Sequence, residues 1–193
     1  MIYDVIDDVM PDHFNKYMIE ALIQVNRWRQ ALPELHSVKK DTLVDDAGMT
    51  MLSFPNEDED HKLNRLNILC DVILNGALER HSSIGRFENF DVDRYVFNLY
   101  NRNSVCDFHQ DVTLTGLDPG QYLSTFIYSF NDCDGYNIIA DEKIESKAGR
   151  LILFPSNVSH KAYPPKNQPH RYSLNCQFKY SSYFRYNDNY GTE

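Results

Sequence analysis

Cysteine is scarce and scattered in this chain. Its four cysteines, Cys70, Cys106, Cys133 and Cys176, form no C-x-x-C pair. That spacing argues against a cysteine-rich zinc cluster and, in a chain of 193 residues, against a disulfide framework. It fits reduced thiols in a cytoplasm. Positive charge is short as well: 19 Lys and Arg stand against 28 Asp and Glu, a formal net charge of -9. An acidic surface repels phosphate backbones, so nucleic acid is a poor partner. No apolar run reaches the about 20 residues that a membrane helix needs. The first 14 residues show neither the basic n-region nor the apolar h-region of a signal peptide. No internal repeat is visible, and nothing in the sequence speaks to oligomeric state.

What is present is apolar and aromatic. The hydrophobic fraction is 42% and the aromatic fraction 13%, with 13 Tyr and 11 Phe, which is globular composition and not that of a disordered chain. Tyr and Phe favour strands. The length fits one domain with a sizeable core.

Residues 1–9 alternate loosely and predict a short edge strand. From Pro11, the residues Phe14, Tyr17, Met18, Ala21, Leu22, Val25 and Trp28 recur at three- and four-residue intervals. That spacing predicts an amphipathic helix ending near Leu32-Pro33. Residues 33–55 read as a loop or short hairpin. The acidic run 56–60 suits a helix N-terminus, and Leu63, Leu66, Ile68, Leu69, Val72, Ile73 and Leu78 predict a second helix closing near Arg80.

After residue 85 the helical period disappears. Short apolar runs follow at 95–100, 121–130, 137–141, 151–154, 160–163 and 171–180, separated by turn residues such as Asp118-Pro119-Gly120 and Ala148-Gly149. Many short strands at this spacing predict a sandwich or barrel. The expected organisation is a helical support region over 1–85, a mainly β core over 86–180 and a tail over 181–193. The tail composition fits either a last strand or a disordered end.

The chemistry-bearing residues lie in the β half. In an extended segment, residues i and i+2 point to the same side, so His109 and Asp111 can face one ion. His160 follows on another predicted strand. Two imidazoles and one carboxylate form the facial triad of non-haem Fe(II) oxygenases, whose far side stays open to small molecules. A structural zinc site would be closed by four protein ligands. Eleven residues on, strand alternation puts Arg171, Ser173, Asn175 and Gln177 on one face, and Tyr172, Leu174, Cys176 and Phe178 on the other. The second face is apolar and packs. An arginine pointing into a barrel needs an anion, and its fork matches a carboxylate. Cys106 stands near the first ligands but at the wrong spacing to join them, and a packed thiol is expected.

Taken together, His109-x-Asp111, His160 and Arg171-x-Ser173 resemble the 2-oxoglutarate/Fe(II)-dependent dioxygenases, closest to their prolyl 4-hydroxylase-like branch. The flanks agree over about residues 93–180: Ser-Thr-Phe-Ile-Tyr-Ser-Phe-Asn-Asp at 124–132, and Gly-Arg-Leu-Ile-Leu-Phe-Pro-Ser at 149–156. The resemblance implies a double-stranded β-helix (jelly roll) with the metal inside one mouth. It implies Fe(II), 2-oxoglutarate and O2 as cofactors, with ascorbate as an auxiliary reductant. His109, Asp111 and His160 would hold the metal, while Arg171 and Ser173 would take the distal carboxylate of 2-oxoglutarate. Tyr100 aligns with a tyrosine lining that pocket. Two departures stand out: Ser129 replaces a second tyrosine, and Asp134 replaces the first glycine of a Gly-Gly-x-Thr element at 134–137.

The implied activity is hydroxylation of a protein or peptide side chain or a free amino acid, with proline favoured by the flanks. A nucleic-acid dealkylase on the same scaffold lacks support in the charge, and the second arginine spacing of those enzymes is missing after Arg171. A non-catalytic jelly roll that binds a metal or small molecule would need no 2-oxoglutarate pocket. Substrate contacts are expected from the loops near 33–55, 102–108 and 132–137.

Overall fold

The computed structural model describes residues 3–24, 29–30, 49–53, 61–80, 88–104, 106–111 and 121–181. In chain order the elements are β1 (Asp4–Ile6), α1 (Asp12–Gln24), β2 (Arg29–Gln30), β3 (Met49–Ser53), α2 (His61–Arg80) and β4 (Glu88–Asn101). Then come β5 (Gln121–Ser129), β6 (Tyr136–Ile139), β7 (Glu142–Glu145), β8 (Leu151–Pro155), β9 (His160–Tyr163) and β10 (His170–Ser181).

The strands build two antiparallel sheets. The larger has seven strands in the order β1-β8-β5-β10-β4-β3-β2, and the smaller has three in the order β7-β6-β9. The expected mainly β jelly-roll core is therefore present, with α1 and α2 beside it among the described residues. As expected, β1 is an edge strand, with Val5 opposite Ile152.

Alternation on the large sheet divides two cores. One face presents Tyr95, Phe97, Phe126, Tyr128, Leu151, Leu153, Leu174, Cys176 and Phe178, buried in one cluster with Met18 and Leu22 of α1 and Leu66, Cys70, Ile73, Leu74 and Ala77 of α2. Each such large side chain contributes about 1.5–3 kcal/mol by leaving water. Two polar bonds anchor the helices to this face. Tyr128 donates its hydroxyl to Asn15 Oδ1 at 2.5 Å, and Tyr95 donates to Asp71. The other face turns toward the small sheet. There Ile127, Ile152 and Phe154 cluster with Ile139 and Ile144, a second and smaller core.

Two elements differ from the sequence expectation. The first helix ends at Gln24, and Arg29–Gln30 is a strand paired with Met49–Thr50, so the helical period does not carry on to Leu32-Pro33. Backbone pairing with β3 overrides the local pattern there; Val25 and Trp28 lie outside the described residues. The second is β7, which the periodicity misses because Glu-Lys-Ile-Glu buries only Ile144. Its hairpin with β6 closes through Ala140 and Asp141, both at positive φ (49° and 65°). Such a left-handed pair matches the twist of the flanking strands. The acidic run 56–60 and the tail from 182 lie outside the described residues.

Candidate metal and cosubstrate site

His109 and His160 meet through the backbone. Each donates its N–H to the other's carbonyl, at 3.0 and 2.9 Å, a single β-bridge that ties the segment after β4 to β9. Asp111 is anchored by its own N–H, which donates to the Ser156 carbonyl at 3.1 Å. The residues expected to converge do so. One ligand atom from each of His109, Asp111 and His160 lies within 4.8 Å of the others. Asp111 Oδ1 is 3.6 Å from His109 Nε2 and 3.7 Å from His160 Nε2.

Both imidazoles are held in the same tautomeric sense. His109 Nδ1 lies 2.9 Å from the Asp107 carbonyl, and His160 Nδ1 lies 3.1 Å from the Val158 carbonyl. A carbonyl only accepts, so each Nδ1 carries a proton and each Nε2 points to the shared space, able to ligate when the ring is neutral. Burial lowers His160. For His109 burial also pulls down, but the Cys106 sulfur, the Asp107 carbonyl and the Asp111 carboxylate outweigh it, and the group is pushed up to about 9. Cys106 Sγ is 3.9 Å from His109 Nδ1, on the side of the ring away from the shared space. It is a buried thiol beside His109.

The carboxylate has support that spacing alone does not reveal. Thr125, fully buried on β5, donates its hydroxyl to Asp111 Oδ2 at 2.8 Å. Its oxygen also lies 2.8 Å from Ser156 Oγ. A hydroxyl has one proton, so Ser156 donates to Thr125 and Thr125 donates to Asp111. The alternation of β5, which puts 125, 127 and 129 on one face, was the only sequence signal for this chain of bonds.

Arg171 is fully buried on the inner face, as its parity predicts. Its Nη1 donates to the Tyr136 and Tyr163 carbonyls, both at 3.0 Å, and its Nη2 donates to Asn137 Oδ1 at 2.9 Å. Burial pulls it below its ordinary value, yet an arginine stays charged. These three acceptors are neutral, and no carboxylate pairs with it among the described residues. Its Nε and the Asn137 Nδ2 are buried with no partner among the described residues. The Arg171 Cζ sits 5.3 Å from the centre of the Tyr100 ring, opposite it across β10 and β4. Burial, reinforced by the Cys106 sulfur, holds the Tyr100 hydroxyl above its ordinary value. Ser173 stands in one row between Asn98 and Ser129, and the buried Ser129 Oγ has no partner among the described residues. Asn98 shares this face, as its parity suggested. Tyr128 faces the helices, and His170 is exposed.

The mouth is fastened by the Asp134 departure. Its carboxylate accepts from the Lys166 and Asn167 backbone N–H groups and from the Asn167 amide. Gly135 beside it allows close approach. A Cβ there would stand 2.9 Å from the Tyr163 carbonyl oxygen and 3.1 Å from Arg171 Cδ.

This donor set suits a divalent ion with open positions, and the unpaired buried donors around Arg171 suit an acidic ligand beside it. The fold and the residues gathered in it define the class: a jelly-roll core arranged for a non-haem metal. Residues 95–179, a little under half of the chain, match the model of the 2OG-Fe(II) oxygenase superfamily. Over those residues the chain is similar to that superfamily, whose members use Fe(II), 2-oxoglutarate and O2.

Solved structures share the fold. The viral collagen prolyl hydroxylase of Paramecium Bursaria Chlorella virus-1, in complex with 2-oxoglutarate, is 15% identical, with 93% of this chain and 96% of that one covered at a TM-score of 0.60. A prolyl hydroxylase from Trichoplax adhaerens, bound to a hypoxia-inducible-factor peptide, is 15% identical over 93% and 83% at 0.56. HygX from Streptomyces hygroscopicus, with nickel, 2-oxoglutarate and hygromycin B bound, is 10% identical over 95% and 84% at 0.62. No curated protein matches the chain. Among the described residues no helix is long and apolar enough to cross a membrane.

Proposed function

We propose that the protein is an Fe(II)- and 2-oxoglutarate-dependent hydroxylase acting on a protein or peptide side chain or a free amino acid, with a proline-like substrate favoured. The observation that carries this is the pairing of an open two-histidine, one-carboxylate cluster with a buried arginine whose partners among the described residues are all neutral. His109, Asp111 and His160 hold the metal through the two Nε2 atoms and a carboxylate oxygen. Arg171, Ser173 and the Tyr100 side of the pocket receive the distal carboxylate of 2-oxoglutarate. When bound, iron and 2-oxoglutarate supply oxidative decarboxylation, yielding succinate and carbon dioxide as oxygen is inserted into the substrate.

The chain's own groups orient this chemistry. Thr125 and Ser156 fix Asp111, the Asp107 and Val158 carbonyls fix the imidazoles, and Asn137 and two carbonyls fix the Arg171 fork. The prolyl hydroxylases among the fold relatives favour a proline-like substrate, while HygX, with hygromycin B bound, keeps small molecules within reach. The net charge of -9 disfavours nucleic acid. The four free thiols fit a reducing cytoplasm.

The experiment is incubation with Fe(II), ascorbate, O2 and 2-oxoglutarate, measuring succinate. Uncoupled turnover is expected even without substrate, and His109→Ala abolishes it. Absence of succinate, together with no charge-transfer band on anaerobic addition of Fe(II) and 2-oxoglutarate, sinks the proposal in favour of a non-catalytic binding jelly roll.

A further inference from the structure

Three protein ligands leave part of a metal's coordination sphere open, and the large sheet shows which side chain borders the ligand cluster. One row across its inner face runs Phe154 on β8, Thr125 on β5, Gln177 on β10 and Arg94 on β4. The first two support ligands. The Phe154 ring lies 4.9 Å from the His160 ring between centroids, and Thr125 bonds to Asp111. Gln177 is next in the row, about 4.8 Å further on by strand spacing.

Gln177 is 1% exposed, and neither its Oε1 nor its Nε2 has a partner among the described residues. Leaving a buried polar atom unpaired costs about 1–3 kcal/mol, and native interiors seldom tolerate it without a functional reason. The unused capacity continues along the same face. Asn175, one step toward Arg171 on β10, has a buried Oδ1 without a partner among the described residues, as does Asn98 in the following row. Thr125 and Ser129 bracket the same stretch on β5, opposite Gln177 and Ser173. The unpaired amides thus lie between the residue that holds Asp111 and the row that holds Ser173, next to Arg171.

On the reading of the site proposed above, we propose that the Gln177 carboxamide is the protein's contact to the metal-side carboxylate of the 2-oxo acid. Its Nε2 donates to that carboxylate while Arg171 holds the distal one. The residue type fits the charge balance. A divalent ion with one protein carboxylate carries a net charge of about +1, and the metal-side carboxylate cancels it. A cationic donor at this position would repel the ion. A neutral amide donates without that conflict, and its carbonyl remains free to accept from a neighbouring donor.

The test uses Mn(II), which needs no oxygen chemistry, and two probes read by calorimetry. Oxalate matches only the metal-side half of the cosubstrate, whereas 2-oxoglutarate presents both halves. Gln177→Leu should bind Mn(II) alone within about twofold of the parent, and its melting temperature should hold or rise, because an unpaired amide is replaced by an apolar group of similar size. Its affinity for oxalate and for 2-oxoglutarate should each fall about tenfold or more, the loss expected for a hydrogen bond to a charged group. Arg171→Ala should weaken 2-oxoglutarate and spare oxalate. Gln177→Asn, which withdraws the amide by one methylene, should also weaken oxalate and serves if the leucine variant does not fold. Oxalate affinity unchanged in the Gln177 variants overturns the proposal, as does a loss confined to 2-oxoglutarate. Parent protein that binds Mn(II) but takes up neither probe overturns the proposed function itself, and this assignment with it.

Discussion

Replacing Thr125 with valine removes one hydroxyl from behind Asp111, in the metal site proposed above, while keeping the shape of the side chain. Thr125 is fully buried, and its hydroxyl donates to Asp111 Oδ2 at 2.8 Å while accepting from Ser156. A hydrogen bond to a charged acceptor contributes about 1.5–3 kcal/mol. Bonds of this kind, one step behind the metal, change metal affinity by roughly 10–100-fold. The Ser156 hydroxyl also loses its acceptor and turns elsewhere. Mn(II) affinity of Thr125→Val should therefore fall by roughly 10–100-fold, read by calorimetry or by competition with a fluorescent chelator. Thr125→Ser should restore most of it, because the hydroxyl returns with the same reach. Ser156→Ala should cost less, since it removes only the outer link. The sheet itself should persist, because valine packs well on a strand. Metal affinity in Thr125→Val within about twofold of the parent would refute the reasoning, since about 1.4 kcal/mol corresponds to tenfold. Equal losses in the valine and serine variants would refute it too, because packing and not the hydroxyl would then be responsible.

Other outcomes follow from the same geometry. Gly135→Ala places a Cβ against the Tyr163 carbonyl and Arg171 Cδ; overpacking of about 1–3 kcal/mol should displace the arginine and weaken 2-oxoglutarate binding more than metal binding, and equal effects on both would refute this. With His109 pushed up to about 9, its imidazole is protonated at pH 7, and it must be neutral to ligate. Metal binding at pH 7 should release about one proton, read by calorimetry in buffers of different ionisation enthalpy, and affinity should fall as the pH drops. Asp7 takes Arg150 Nε at 2.6 Å and Nη2 at 2.9 Å, and the Arg150 bond holds its carboxyl below the usual range. A lowered carboxyl stabilises the fold above its unfolded pKa and loses that contribution as the pH falls through the folded value. Asp7→Asn should therefore cost under about 1 kcal/mol at neutral pH, as expected for a partly exposed pair, and nothing in strong acid. Burial pushes the Cys70 and Cys176 thiols well up. A thiol reagent should label half-buried Cys133 first and reach those two only on unfolding, whereas early labelling of Cys70 would contradict the packing of α2.

The sequence by itself settled those features that rest on short-range periodicity and residue chemistry. Alternation along 171–178 separated the polar and apolar faces of β10, because successive side chains of a strand point to opposite sides. The three- and four-residue spacing of Phe14, Met18 and Leu22 marked a helix, because that interval returns to one side of it. The convergence of His109, Asp111 and His160 and the inward turn of Arg171 were legible because few chemistries need two imidazoles, a carboxylate and a buried guanidinium. Tertiary structure decided the rest. Nothing local makes Glu-Lys-Ile-Glu a strand; pairing with β6 does. Arg29–Gln30 joins the sheet because β3 lies beside it, against the helical pattern running into it. Thr125 and Ser156 became the support of Asp111 only when residues 14 and 31 positions apart came within hydrogen-bond reach. Asn137 and Gln177 are set apart by the partners they have or lack across the barrel among the described residues. Hydrogen bonds between distant segments depend on register and on what else occupies the interior, and a linear pattern encodes neither.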